Sequence, residues 1–327
     1  HSNRTMSATP KPHPSAIPRT LFSSLQADVL KTLLYFDIFN HPLTAEEICS
    51  FLPRNSTNPN TIARSCDSIP LSRIVKNNDG YFSLRNNEES SVELRHVKEI
   101  RAKRLWTMAV VMGNVLRRIP FVRGVAISGE LSKGVASTKA DIDFVVITAP
   151  GRLWISRTLA ILFKKVFLLN RKKYFCVNHF VAENRMTHEE RSIYAALEIA
   201  TLKPVSNVDL FRRYRAANSW ITDFLPNAPE VPPPFLYENG VSYFQKALEA
   251  LFPPRISEHL DRFLMNTWRK IWKRRYPHLS EKERNVLYQC EPYISTAYGE
   301  DFLRKVLESY NGRLRSHGLQ PVPLPNR

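Results

Sequence analysis

VAISGELSKGVASTKADIDFVVIT, residues Val125 to Thr148, is the stretch whose reading decides the fold. An apolar run ends in Ser128-Gly129. A polar segment with Lys133, Gly134, Ser137 and Lys139 follows, and Asp141-Ile142-Asp143 then leads directly into Phe144-Val145-Val146-Ile147. Side chains alternate faces along a strand, so Asp141 and Asp143 are expected on one face with Ile142 packed behind them. Two neighbouring carboxylates repel unless a positive charge lies between them. A hard divalent cation, Mg²⁺ or Mn²⁺, held by one or two carboxylates together with substrate phosphates, relieves that repulsion. An exposed acidic strand end is the alternative, and an isolated Asp-x-Asp is compatible with it.

Gly129, a short spacer and Asp141-Ile142-Asp143-Phe144 together resemble the signature of the DNA polymerase β-type nucleotidyltransferase superfamily. The resemblance covers Phe121 to Glu183. It implies a small mixed-sheet core and transfer of a nucleoside monophosphate from a nucleoside triphosphate to a hydroxyl acceptor, with Asp141 and Asp143 as catalytic metal ligands. It also implies that Ser128 and Gly129 begin the phosphate-holding turn and that Lys133 or Lys139 adds charge there. Two positions depart from the pattern. Glu130 stands where the family has Gly or Ser, and the third carboxylate expected on a later strand has no clear counterpart. Tyr174 to Val181 offers only Asn178 and His179, with Glu183 just beyond.

A chain of 327 residues suggests two or three domains, and 43% hydrophobic residues is enough to bury real cores. The formal net charge of +17 points to phosphate-rich partners: nucleoside triphosphates, RNA or DNA, or an anionic membrane surface. Cys49, Cys66, Cys176 and Cys290 form no C-x-x-C pair and have no histidine at zinc-ligand spacing, as expected of reduced thiols in a cytoplasmic protein. The most apolar run, Leu159 to Leu169, is too short to span a bilayer and is interrupted by Lys164-Lys165, so no integral membrane segment is expected.

The fold class expected is α+β: an N-terminal winged helix, a small mixed-sheet nucleotidyltransferase-like core and a helical C-terminal region. Residues 1–20 are polar and proline-rich, which predicts a disordered segment without a signal peptide. Within 21–90, Leu25 to Phe39 has helical spacing, Thr44 and Glu47 form a capping box for a helix through Phe51, and a third helix runs from Asn58 through Cys66. Asn77-Asn78-Asp79-Gly80 then joins two short strands as a hairpin. Three helices and a hairpin in that order resemble a winged helix. Residues 91–120 read as one linking helix and 121–186 as the core. In the strand Tyr174 to Val181, alternation puts Cys176, Asn178 and Phe180 on one face and Val177, His179 and Val181 on the other. Residues 187–318 read as helical, with a capping box at Thr187 to Glu190 opening a helix through Leu202 and another helix over Leu210 to Phe224; 319–327 read as a flexible tail.

Arg262 to Tyr276 is the densest basic stretch. Arg269, Lys270, Lys273, Arg274 and Arg275 are candidate nucleic-acid contacts, and Trp268 and Trp272 share a helix face where bases could stack. Packing both tryptophans into a core, with the cations solvated, is the competing assignment. Two functions follow. One is a metal-dependent nucleotidyltransferase. The other is a catalytically inactive protein of the same fold that binds nucleic acid or a protein partner through its basic surface and winged helix. A transcription regulator is a third possibility, but the chain shows no coiled coil to dimerise it.

Overall fold

Reciprocal helix caps and a tight hairpin shape the first unit. The computed structural model describes residues 22–53, 58–89, 91–171, 173–235, 241–298 and 301–324; the segment 1–20, expected to be disordered, lies outside them. Helix α1 (Ser24–Asp37) starts where Ser23 and Gln26 exchange side-chain and backbone hydrogen bonds. After β1 (Leu43–Thr44), Thr44 and Glu47 make the same exchange at the start of α2 (Ala45–Ser50). Asn58 caps α3 (Pro59–Asp67), whose proline occupies a position with no intrahelical N–H to lose. Strands β2 (Val75–Asn78) and β3 (Tyr81–Leu84) turn through Asp79 and Gly80, both at positive φ as a two-residue hairpin requires. The three strands pair antiparallel in the order β1-β3-β2.

Helix α4 (Val92–Leu116) leads to a larger sheet. Gly113 lets it approach that sheet closely, since a Cβ there would lie 2.8 Å from Val205 Cγ1. The chain continues through β4 (Val122–Ser128), the single turn α5 (Gly129–Ser132), β5 (Asp143–Thr148), α6 (Leu153–Phe167) and β6 (Cys176–Ala182). It goes on through α7 (Ile193–Ala200), β7 (Lys203–Ser206), α8 (Val208–Ala217), α9 (Ile221–Phe224), α10 (Tyr243–Ala250), α11 (Pro254–Arg275) and α12 (Glu281–Leu287), and ends in β8 (Ile294–Thr296) and α13 (Phe302–Ser316). The large sheet has the order β7-β4-β5-β6-β8, with β5 and β6 parallel across α6 and the other pairs antiparallel.

The C-terminal region is therefore not purely helical: residues 187–318 supply both edge strands of the sheet. Strand β7 is four residues long and contains Pro204, which an edge position tolerates and a central one does not. The second expected capping box also fails. Helix α7 begins at Ile193 with Ser192 as its cap, because His188 is held elsewhere, its N–H by Asn218 at 2.7 Å and its Nε2 by the Tyr214 hydroxyl at 2.6 Å. Asn218 likewise divides the helix expected over Leu210 to Phe224. Its buried amide donates to Met186 O and Tyr214 O and accepts from His188 N and Trp220 Nε1, and a helix interior offers no such set. Of the expected flexible tail, residues 319–324 are fastened: Asn311 exchanges two 2.8 Å hydrogen bonds with the Val322 backbone.

The large sheet carries a core on each face. Val125, Ile127, Phe144, Val146 and Phe180 pack with α4, α6, α11 and α12. Ala126, Val145, Ile147 and Val181 pack on the opposite face with α7, α8 and α13, in a core continuous with that of the first unit. Helix α13 joins the two ends of the chain. The Tyr310 hydroxyl donates to Lys31 O, Arg313 pairs with Asp37 at 2.9 Å, and the Tyr310 ring meets Tyr35 edge-on at 5.4 Å. Among the described residues no helix is long and apolar enough to cross a membrane, and the four cysteines are free.

Candidate functional site

Strand β4 ends at Ser128, and the next residue, Gly129, has φ +67°. A Cβ at Gly129 would lie 2.7 Å from Asp143 Oδ2, so both the backbone conformation and the carboxylate beside it require glycine. Asp143 opens β5, paired with Ser128 on one side and Cys176 on the other. Ile142 is buried and bonded to the segment that opens β6 through Lys173 O and Cys176 N, while Asp141 and Asp143 are partly exposed on either side of it. The expected alternation is present, although Asp141 stands just outside the strand.

Burial pushes the Asp143 carboxyl up to about 6, against a hydrogen bond from the Cys176 thiol; Glu198 and Asp141 add repulsion and Lys133 offsets part of it. Glu198, on α7, was not among the residues singled out from the sequence. It accepts a 2.8 Å ion pair from Lys133, whose ammonium also donates to Gly129 O at 3.1 Å. The signal was a lone charge between Leu197 and Ile199 in an otherwise apolar helix. Glu130, which departs from the family pattern, accepts from the Ser137 N–H at 2.6 Å and from the Ser137 hydroxyl at 3.1 Å, closing the loop over itself.

The strict alternation expected in β6 does not hold. Asp143 pairs with Cys176 and Val145 pairs with His179, so β6 has one extra residue over that interval. A bulge of this kind turns residues of odd spacing onto one side. Cys176 bonds Asp143, and His179, three residues on, faces the same cavity as Asp143.

That cavity has a volume of about 840 Å³. Ser128, Gly129, Lys133, Asp143, Asn178 and Glu198 line one end; His179, His188, Tyr214 and Tyr298 line another part of its wall. Four of the expected site residues, Ser128, Gly129, Lys133 and Asp143, thus share a single cavity, with Asp141 beside it. Lys139 does not join them; it is exposed and outside the lining.

The basic helix lies elsewhere. Helix α11 packs on α6 against the opposite face of the sheet. Trp272 is buried, with Trp154 at 5.9 Å and Tyr288 at 5.5 Å, and Trp268 donates its Nε1–H to Thr158 at 3.0 Å, so both tryptophans belong to the core. Arg269 donates to Cys290 O at 2.7 Å. Lys270, Lys273, Arg274 and Arg275 are exposed.

Among the described residues no three His, Cys, Asp or Glu side chains are arranged to hold a metal ion. Asp141 and Asp143 suit a cation that arrives with phosphate ligands, the arrangement Mg²⁺ favours. The nearest third carboxylate, Glu198, is engaged by Lys133. No protein-family model, no curated protein and no solved structure matches this chain.

Proposed function

We propose that the chain is a nucleotidyltransferase, moving a nucleoside monophosphate from a nucleoside triphosphate to a hydroxyl acceptor in the cavity beside Gly129 and Asp143. The close approach of the Gly129 backbone to the Asp143 carboxylate, at the edge of a cavity of about 840 Å³, carries the proposal. Ligand sites typically measure about 300–1,000 Å³, which accommodates a nucleotide. In this reading α1 to α3 with β1 to β3 form a winged helix, and the five-stranded sheet is a nucleotidyltransferase-like core. The order of elements in both supports it.

Asp141 and Asp143 would hold the divalent cation, Mg²⁺ or Mn²⁺, which when bound neutralises phosphate charge. Lys133 supplies a second positive charge at that end, and Glu198 positions its ammonium through the 2.8 Å ion pair. Gly129 keeps the turn low enough for a phosphate to approach Asp143. In the reaction the acceptor oxygen bonds to the α-phosphorus, its proton leaves to solvent or a base, and the bond to the departing diphosphate breaks with its electron pair. The cavity shields these charges from water, where hydrogen-bonding groups fixed in advance act more strongly.

A second reading is favoured by a specific observation. Lys133 and Glu130 are both engaged internally, and Cys176 occupies the place beside Asp143 where a further carboxylate would serve catalysis. In that case the chain is an inactive relative of the fold, holding RNA, DNA or a protein partner through its first unit and the exposed cations of α11.

Incubation with labelled nucleoside triphosphates, Mg²⁺ or Mn²⁺ and RNA, DNA or protein acceptors tests the first reading, alongside an Asp141→Ala/Asp143→Ala variant. Labelled product is expected, reduced about a hundredfold or more in the variant. Product that survives undiminished in the variant would sink the assignment. No product, together with RNA binding that weakens steeply with salt, would favour the second reading.

A further inference from the structure

We propose that the outer surface of α6 and α11 docks on an anionic lipid bilayer, with the end of α6 inserted among the lipid tails and the surrounding cations on the headgroups. This surface lies across the sheet from the cavity, and the inference does not depend on the chemistry there.

The charge of the chain is concentrated here. Residues 151–182 carry seven Lys or Arg and no Asp or Glu, and residues 262–280 carry six and none. The two stretches meet because α6 and α11 pack together. Arg152 lies 3.7 Å from Glu258, the Trp154 N–H donates to Asp261 at 2.8 Å, and Trp268 donates to Thr158 at 3.0 Å. These contacts advance in the same order along both helices, so the helices run in the same direction and their basic C-terminal ends lie towards one side. The two acids of α11 stand near its start, Asp261 buried and Glu258 beside Arg152. Lys165, Arg171, Lys173, Lys270, Lys273 and Arg274 are exposed. Such a cluster is drawn to anionic lipid, each cation adding to the attraction within about 10 Å of the headgroups.

Charge alone would suit nucleic acid equally, and the apolar end of α6 separates the two. Leu162 and Val166, one helical turn apart, are 53% and 58% exposed; Phe167 and Leu169 are 69% and 77% exposed. Phe167 stacks on Phe163 at 5.0 Å, which holds its ring at the surface. Leu169 has φ +47°, a conformation that Gly or Asn usually takes at a helix end. A leucine there bears backbone strain without gaining burial, so its side chain serves a contact outside the fold. Aliphatic groups meet acyl chains favourably and find nothing complementary on a phosphate–sugar backbone. Lys165 and Arg171 flank them, with stems long enough to lie in the interface while their charges reach the headgroups.

The same charge opposes other covers. A second copy of the chain would bring its own cations against these, and residues 1–20 carry Arg4, Lys11 and Arg19 without an acid. Docking by this surface leaves the α7 side of the sheet, with its cavity, uncovered.

Co-sedimentation of the full chain with lipid vesicles tests the surface. Vesicles of phosphatidylcholine with about one-third phosphatidylserine should carry the chain down, and pure phosphatidylcholine should bind it about tenfold or more weakly. Val166→Ser/Leu169→Ser alters two exposed side chains and no charge. It should melt as wild type does and lose about tenfold in affinity for the anionic vesicles. Lys270→Glu/Arg274→Glu should lose about as much, with a larger difference at low salt. Hydrogen exchange needs no variant: the vesicles should slow exchange in residues 162–171 and leave the first unit unchanged.

The proposal is overturned if the chain ignores anionic vesicles, if Val166→Ser/Leu169→Ser binds them as tightly as wild type, or if protection falls on another part of the chain. It also fails in favour of another occupant on either of two results. Binding of RNA or DNA without vesicle binding would assign the surface to nucleic acid. A dimer that Val166→Ser/Leu169→Ser dissociates in analytical ultracentrifugation would assign the apolar end to a second copy.

Discussion

The two faces of the large sheet solve opposite problems. On the α6 and α11 side, Trp154, Trp268, Trp272 and Tyr288 close the surface with rings 5.5 to 5.9 Å apart, and even a guanidinium, that of Arg157, is sealed among them. On the α7 side the sheet stays open: a cavity of about 840 Å³ separates β5 and β6 from what covers them, and charged, hydroxyl and imidazole groups line it. The exposed cations of α11 sit on the closed side, outside the cavity lining. The basic patch of α11 and the cavity are thus divided by one layer of β-structure.

If the closed face is structural, its largest ring should matter most. Trp272→Ala should cost about 3–5 kcal/mol, read from urea unfolding, because it leaves a cavity between Trp154 and Tyr288. A loss below about 1 kcal/mol would mean that this face is not the anchor of the sheet.

Acid titration sharpens the comparison, since each face holds a displaced group. His179 and His188, at about 3 and about 4, lie below the ordinary 6.5. The unfolded chain therefore binds more protons below 6.5, and the two histidines lose stability as pH falls. Asp143 in the cavity and Asp261 on α11 are both raised by burial from 3.8 to about 6. The folded chain binds more protons there, so these two contribute stability as pH falls from about 6 to about 4. Each group contributes a slope of about 1.4 kcal/mol per pH unit over its window, and the pairs nearly cancel. Wild-type stability should be almost flat between pH 6 and 4. His179→Gln/His188→Gln should gain stability on acidification across that range, and Asp261→Asn should lose it. Parallel curves for all three proteins would mean that these groups are not displaced.

The smallest effect concerns Arg157. Its Nε and Nη1 have no hydrogen-bond partner among the described residues, and its guanidinium lies 5.2 Å above Trp272 and 5.3 Å above Phe180. Burial lowers its affinity for a proton to a value of about 10. Replacing an uncompensated buried charge with an apolar side chain of similar length is often stabilising, so Arg157→Met should raise stability by about 1 kcal/mol. It should also let His179 protonate more readily, because Arg157 acts on that ring through the sheet. A fall in stability would mean that the cation–ring contacts outweigh desolvation.

What could be read from residues alone was local. The Thr44 and Glu47 cap, the Asp79-Gly80 turn and the glycine before the Asp-x-Asp strand each follow from a few neighbours, and each is present. The missed features depend on partners far along the chain. Strands β7 and β8 have four and three residues, too few for periodicity to register. The helix break at Asn218 follows from bonds to Met186 and His188, about thirty residues away, which outweigh local helix preference. The β6 bulge has no mark in the sequence, yet it moves His179 to the side of Asp143. Glu198 became part of the site only because α7 folds back over β5, bringing it to Lys133 from 65 positions along the chain.

The bond from Tyr310 to Lys31 spans 279 positions. Helix α1 is made before α13, and part of its apolar surface, including the Tyr35 ring, is covered only when α13 arrives. Closing so long a loop adds little to the equilibrium cost, which grows only with the logarithm of its length. Its effect is on time. Late, distant contacts slow the approach to the finished state and prolong the interval in which unfinished surface can meet other chains.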